Sequence, residues 1–226
     1  MVVFLVLLAV LIYFSSLPEI NTEHEDETFA AANTNKTSIV QFPHLMLGVA
    51  TLFVYVGAKV IAGDSISLYG TSQHIPLLTA RFFTSCTLVS MIVGYLFGVF
   101  CIPKIITQQK ALIASAILGV VLTIATLLTH GYASVFCIAL LGLANPLMWP
   151  AIWPLALAGL GRFTKIASSL LVMGIAGGAV LPPLYDYFSE KFSAQSAYIM
   201  LIPIYLFILY FSTLGYKAGK TAVAKN

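Results

Sequence analysis

Apolar runs of near-membrane length follow one another through most of this chain, and that succession limits the fold more than any motif does. They are read as Val2–Phe14, His44–Gly63, Leu77–Ile102, Ala111–Thr129, Ser134–Leu157, Ile166–Tyr187 and Ala197–Tyr216, one short run and six full ones. A helix needs about 20 apolar residues to cross a bilayer. Helices and closed barrels alone satisfy their backbone groups there. Charged residues make up 8% of the chain, where a soluble domain carries roughly a quarter. The predicted fold class is therefore all-α, a polytopic transmembrane helical bundle.

Lysine and arginine set the orientation. Lys36, Lys104, Lys110, Arg162, Lys165, Lys217, Lys220 and Lys225 fall on one side of the runs, and Lys191 on the other, with Arg81 snorkelling from the start of its span. The positive-inside rule puts the first side, and the C-terminus, in the cytoplasm. The net charge of +3 is this anchoring bias, and no nucleic-acid partner is expected. With seven spans Met1 then lies outside, on a helix short for a span and preceded by no basic residue. Such a helix suggests a preceding segment. A short signal-anchor helix is the alternative, and a cleaved signal peptide lacks both its charged n-region and its small-residue site.

Residues 15–43 form an acidic cytoplasmic linker with Glu19, Glu23, Glu25, Asp26 and Glu27, too polar and too like-charged for a fold of its own. Asn35-Lys-Thr37 matches a glycosylation pattern but stands on the cytoplasmic side. The expected organisation is a short first helix at 1–14, the linker at 15–43, a six-helix bundle at 44–216 and a basic tail at 217–226.

Within the bundle, Gly94-Tyr-Leu-Phe-Gly98 and Gly174-Ile-Ala-Gly-Gly178 are small-residue patterns that let helices approach closely. Gly177-Gly178 and Pro182-Pro183 make the sixth full segment easy to bend. One stretch stands out: Asn145-Pro-Leu-Met-Trp-Pro-Ala-Ile-Trp-Pro154. In a straight helix Asn145, Trp149 and Trp153 share a face, and Pro146, Pro150 and Pro154 lie beside them. Each proline removes a backbone donor. In hydrocarbon that is tolerated where protein or a water-filled cavity meets the freed groups, so this helix is expected to line something.

This stretch, its continuation through Gly159-Leu-Gly-Arg-Phe-Thr-Lys165 and Ser168–Gly178, and the segments Phe53–Val60, Gly63-Asp64, Ala80–Thr87 and Pro203–Tyr210 resemble the fucose/glucose/galactose permease branch of the major facilitator superfamily, from about residue 40 onwards. The resemblance implies two six-helix halves with substrate between them near the midplane. It implies that this chain is the C-terminal half, its first run matching helix six and its linker the connection between halves. It further implies cation-coupled symport of a monosaccharide in the plasma (inner) membrane, with an N-terminal half as partner, supplied by another chain or by a longer reading frame. Cys86, Cys101 and Cys137 lie in spans, four scattered histidines have no metal-ligand spacing, and no enzyme motif appears, so no catalytic residue, metal or cofactor is expected.

A hexose presents hydroxyls and apolar C–H faces. Asn145 matches a hydroxyl with donor and acceptor, and Trp149 and Trp153 offer flat rings with an N–H. Tyr55 stands one turn before Lys59 on the same face. These five are the candidate cavity residues. Lys59 replaces a glutamate common in the family, and three readings stand for it: a charge touching substrate, an ion pair inside the bundle, or a relic in a non-working copy. Ala158 and Asp186 also depart from the pattern. No acidic residue lies mid-span, and the resemblance puts the coupling carboxylates in the other half. A chain alone is expected not to transport. The competing reading is a non-transporting interaction or sensing protein on the same scaffold.

Overall fold

The computed structural model describes residues 38–102 and 106–218. The short first helix, most of the acidic linker and most of the basic tail lie outside the described residues. After a 3-10 turn at Ile39–Gln41, eight helices follow: α1 Pro43–Asp64, α2 Ile66–Ser72, α3 Leu77–Cys101, α4 Gln108–Leu128, α5 Gly131–Ala144, α6 Met148–Leu157, α7 Gly161–Lys191 and α8 Ala194–Thr213. The last two tighten to 3-10 turns at Gly161–Phe163, Gly174–Ala176 and Tyr198–Met200. Five are long and apolar enough to span a bilayer, and α5 with α6 makes a sixth span bent by 41°. The chain is an integral membrane protein.

These helices coincide with the six full apolar runs to within a few residues at most ends. The start of α7 differs more, because Gly161–Phe163 winds as 3-10 directly into the span. The seven-residue helix α2 lies beyond the first full run. Its buried Ile66 and Tyr69 cover the end of the bundle.

Successive spans alternate in direction, so each end of the bundle has its own chemistry. Lys110, Arg162, Lys165 and Lys217 gather at what we call the basic end. The described carboxylates, Asp64, Asp186 and Glu190, stand at the opposite end. At the basic end, His44 is 1% exposed and its ring joins three segments. Nε2 lies 3.1 Å from the carbonyl of Ala158 at the end of α6, and Nδ1 lies 3.2 Å from the carbonyl of Ala218 beyond α8.

A polar network closes the opposite end. The Gln195 amide donates to the carbonyls of Thr126 (2.9 Å), Leu127 (3.3 Å) and Thr129 (2.7 Å), which terminate α4. The Gln195 carbonyl accepts from the Gln73 amide, and the Gln73 carbonyl in turn accepts from Gly131 N–H at 2.8 Å. A helix end leaves orphan carbonyls; Gln195 meets them, and Gln73 ties Gln195 to the start of α5. Beside them the hydroxyls of Tyr69 and Ser134 pair, as do those of Ser65 and Tyr198 at 2.7 Å.

The core centres on α1, which packs on α6, α7 and α8, while α3 packs on α5 and α4 on α8. Glycines permit the closest approaches. A Cβ on Gly177 would stand 1.8 Å from the carbonyl oxygen of Phe53, and one on Gly57 would stand 2.2 Å from Leu181. Gly94 and Gly98 receive Pro146 and Leu147. Both small-residue patterns thus serve packing within the bundle. Burial is uneven. Half of the most apolar stretch of α1 is buried, and 44% of those of α4 and α8, against 17% for α3 and 22% for α7.

Candidate functional site

The break between α5 and α6 builds the site. Pro146 brings no N–H to the turn, so the carbonyl one turn back loses its donor, and the helix stops at Ala144. The Asn145 carbonyl takes up the break. It accepts from Met148 N–H at 3.2 Å in a tightened turn and from the Tyr55 hydroxyl of α1 at 3.0 Å. The Asn145 side-chain oxygen accepts from the Tyr205 hydroxyl of α8, also at 3.0 Å. One residue therefore ties three spans at the bend. Its amide nitrogen, by contrast, is buried with no hydrogen-bond partner among the described residues, and a donor left unmet in a dry interior is costly.

The other two prolines do not break the helix. Pro150 stands in the first turn of α6, where a missing N–H costs little, and Pro154 lies within continuous helix. The bend divides the stripe that a straight helix would show. Asn145, 1% exposed, points to Tyr205. Trp149 and Trp153 are half-buried and stack with ring centroids 5.7 Å apart and planes 23° from parallel.

Trp149 lines a cleft of about 390 Å³ between α3 and α6, with Tyr95, Gly98, Val99, Gln108 and Pro150 in its wall. That volume falls in the range of small-molecule sites. The lining is mostly apolar, with an indole and a phenol for flat C–H faces and one amide for hydroxyl groups. Gly98 seats Leu147, since a Cβ there would fall 2.2 Å from the Leu147 side chain.

Of the five residues singled out from the sequence, the structure brings Tyr55 and Asn145 together, and Trp149 and Trp153 together. Tyr55 is fully buried. Lys59 is half-buried, one turn along from Tyr55, and makes no hydrogen bond or ion pair among the described residues. Sequence reasoning missed Tyr205, Tyr95 and Gln108. The first two stand inside stretches already notable, Pro203–Tyr210 and Gly94–Gly98. A phenol in the middle of an apolar run was the available signal, because its hydroxyl must find a partner in hydrocarbon.

No family model matches the chain. Among curated proteins, it is 29% identical over 201 residues to a glucose/galactose transporter of Brucella abortus, covering 86% of this chain and 47% of that protein. It is 25% identical over 193 residues to the L-fucose-proton symporter of Escherichia coli, covering 84% of this chain and 44% of that one. The chain thus spans about half the length of the curated relatives it matches. Its fold matches a crystal structure of a Major Facilitator Superfamily transporter, FucP, in the outward conformation. The TM-score is 0.76 at 20% identity, over 93% of this chain and 51% of that one.

Proposed function

We propose that this bundle, which has the fold of one half of a major facilitator transporter, supplies the C-terminal half of the path by which a monosaccharide crosses a membrane. The observation that carries this reading is the pairing of coverages. The likeness takes in 86% of this chain but only 47% of a sugar transporter. The sugar is of the glucose, galactose or fucose class, and the transport is cation-coupled symport. A second six-helix half completes the path, packed on α3 and α7, the two least buried spans. The basic end faces the cytoplasm by the positive-inside rule, in the plasma (inner) membrane.

Within this half the Trp149–Trp153 stack forms the apolar wall of the sugar path. Tyr55 and Asn145, both buried and outside the lining of the Trp149 cleft, hold that wall at its bend and are not in contact with the sugar. Lys59 directs its charge toward the path, because a lysine in mid-span is costly unless it faces the bundle interior or water.

The experiment is uptake of labelled glucose, galactose and fucose by vesicles containing this chain together with a complementary N-terminal half. Uptake of one sugar above the level of either half alone is expected, reduced about tenfold by Trp149→Ala, on the scale of the roughly 1–3 kcal/mol that an aromatic stacked on a nucleic-acid base is worth. No uptake by the pair would leave the non-transporting reading standing.

A further inference from the structure

A second cavity, of about 340 Å³, adjoins the Trp149 cleft at Ile102 and Leu147. It lies between α3, α4 and α5, with Val93 and Phe97 on one wall, Ala111 and Ala114 on another and Leu143 on the third. Ser115 contributes the single hydroxyl side chain of its lining. A hexose needs partners for several hydroxyls, and this lining does not offer them. An extended hydrocarbon chain needs none.

The mouth has the opposite character. The lining reaches Cys101, at the end of α3, and Ile106 and Ala111, around the first turn of α4. Lys110 is exposed in that turn. No acidic residue occurs in the first turn, and Thr107 caps it through the Lys110 N–H at 3.4 Å. A 21-residue helix adds the positive end of its dipole at the same place. The cavity is thus hydrocarbon within and cationic at its rim, and the change occurs where α4, a helix long and apolar enough to span a bilayer, begins.

We propose that this cavity is a binding site for an anionic phospholipid, with one acyl chain between α3, α4 and α5 and the head-group phosphate at Lys110. Charge complementarity at the rim selects the anionic head group. Basic pockets between spans on the side favoured by lysine and arginine hold such head groups. A zwitterionic lipid fills the same hydrocarbon space but gains little from the rim. The site does not depend on the transport reading, and its test requires no uptake.

Cys101 is half-buried and lines the cavity, whereas Cys86 is half-buried on the same helix outside that lining. The two thiols give a probe and an internal control. The full chain is placed in bicelles of phosphatidylcholine with a rising fraction of phosphatidylglycerol, then alkylated with N-ethylmaleimide, and each site is followed by mass spectrometry. Phosphatidylglycerol should slow alkylation of Cys101 and leave Cys86 unchanged. Lys110→Gln should shift the half-effect to an about fivefold higher phosphatidylglycerol fraction, the weight of one lysine near an anionic surface. Ala114→Trp, at an exposed position facing into the cavity, should protect Cys101 in both lipids and remove the dependence on phosphatidylglycerol. Equal Cys101 rates in the two lipids overturn the proposal, and so does an unchanged phosphatidylglycerol dependence in Lys110→Gln.

Discussion

Asn145 shows how much one residue can hold, through its main chain and its side chain together, when no water competes for it. Its two oxygens are each met by a tyrosine hydroxyl from a different span. Tyr205→Phe removes the partner of one oxygen with almost no change in volume. Interhelical hydrogen bonds in membranes average about 0.6 kcal/mol and reach about 1.7 kcal/mol. The buried position of Tyr205 places this one toward the upper end. Thermal unfolding in detergent should show the loss, and a variant as stable as the native chain would remove Tyr205 from the account of the bend. The three prolines were legible in the sequence, but which of them breaks the helix was not. Pro146 does so in a fold where Tyr55 and Tyr205, 90 and 60 residues from Asn145, anchor the residue beside the break from two other spans. That information is tertiary.

At the scale of elements, helix contacts here are set by absent side chains as much as by present ones. Gly177→Ala would push a methyl group into the backbone of Phe53, so α7 must move away from α1. Overpacking of this kind costs typically 1–3 kcal/mol, and backbone in place of a flexible side chain puts the cost at the upper end. Gly63→Ala meets nothing within 4 Å and serves as the matched control, expected to unfold with the native chain. Similar losses for the two variants would remove contact with Phe53 from the account, since helix propensity alone favours alanine over glycine. The opposite end gives a second test. Gln195→Ala strips the amide from the carbonyls that close α4. Amide hydrogen exchange should rise at Gly131, whose N–H depends on Gln73 held by Gln195, while exchange at the basic end stays as it was. The spans themselves were legible because a long apolar run has one solution in a bilayer. The glutamine clamp was not, since glutamines near span ends occur for many reasons and only the packed ends bring these two together.

The described residues form six spans with a firm centre on α1 and two thinly covered members, α3 and α7. Hydropathy identifies both as spans without distinguishing residues that face lipid from residues that face protein, because both faces are apolar. Their uneven burial has a consequence for substitution. Constraint on α1, α4 and α8 arises from contacts within this chain, so a library of variants selected for stable expression of the chain alone should restrict those helices strongly. The outer faces of α3 and α7, where Phe82, Val89, Leu96, Val172 and Val180 are exposed, should tolerate any apolar replacement in that selection. Selection of the same library for sugar uptake beside a second half should then narrow the permitted residues on α3 and α7 and leave the pattern on α4 unchanged. The difference between the two tolerance maps would outline the missing contact surface residue by residue.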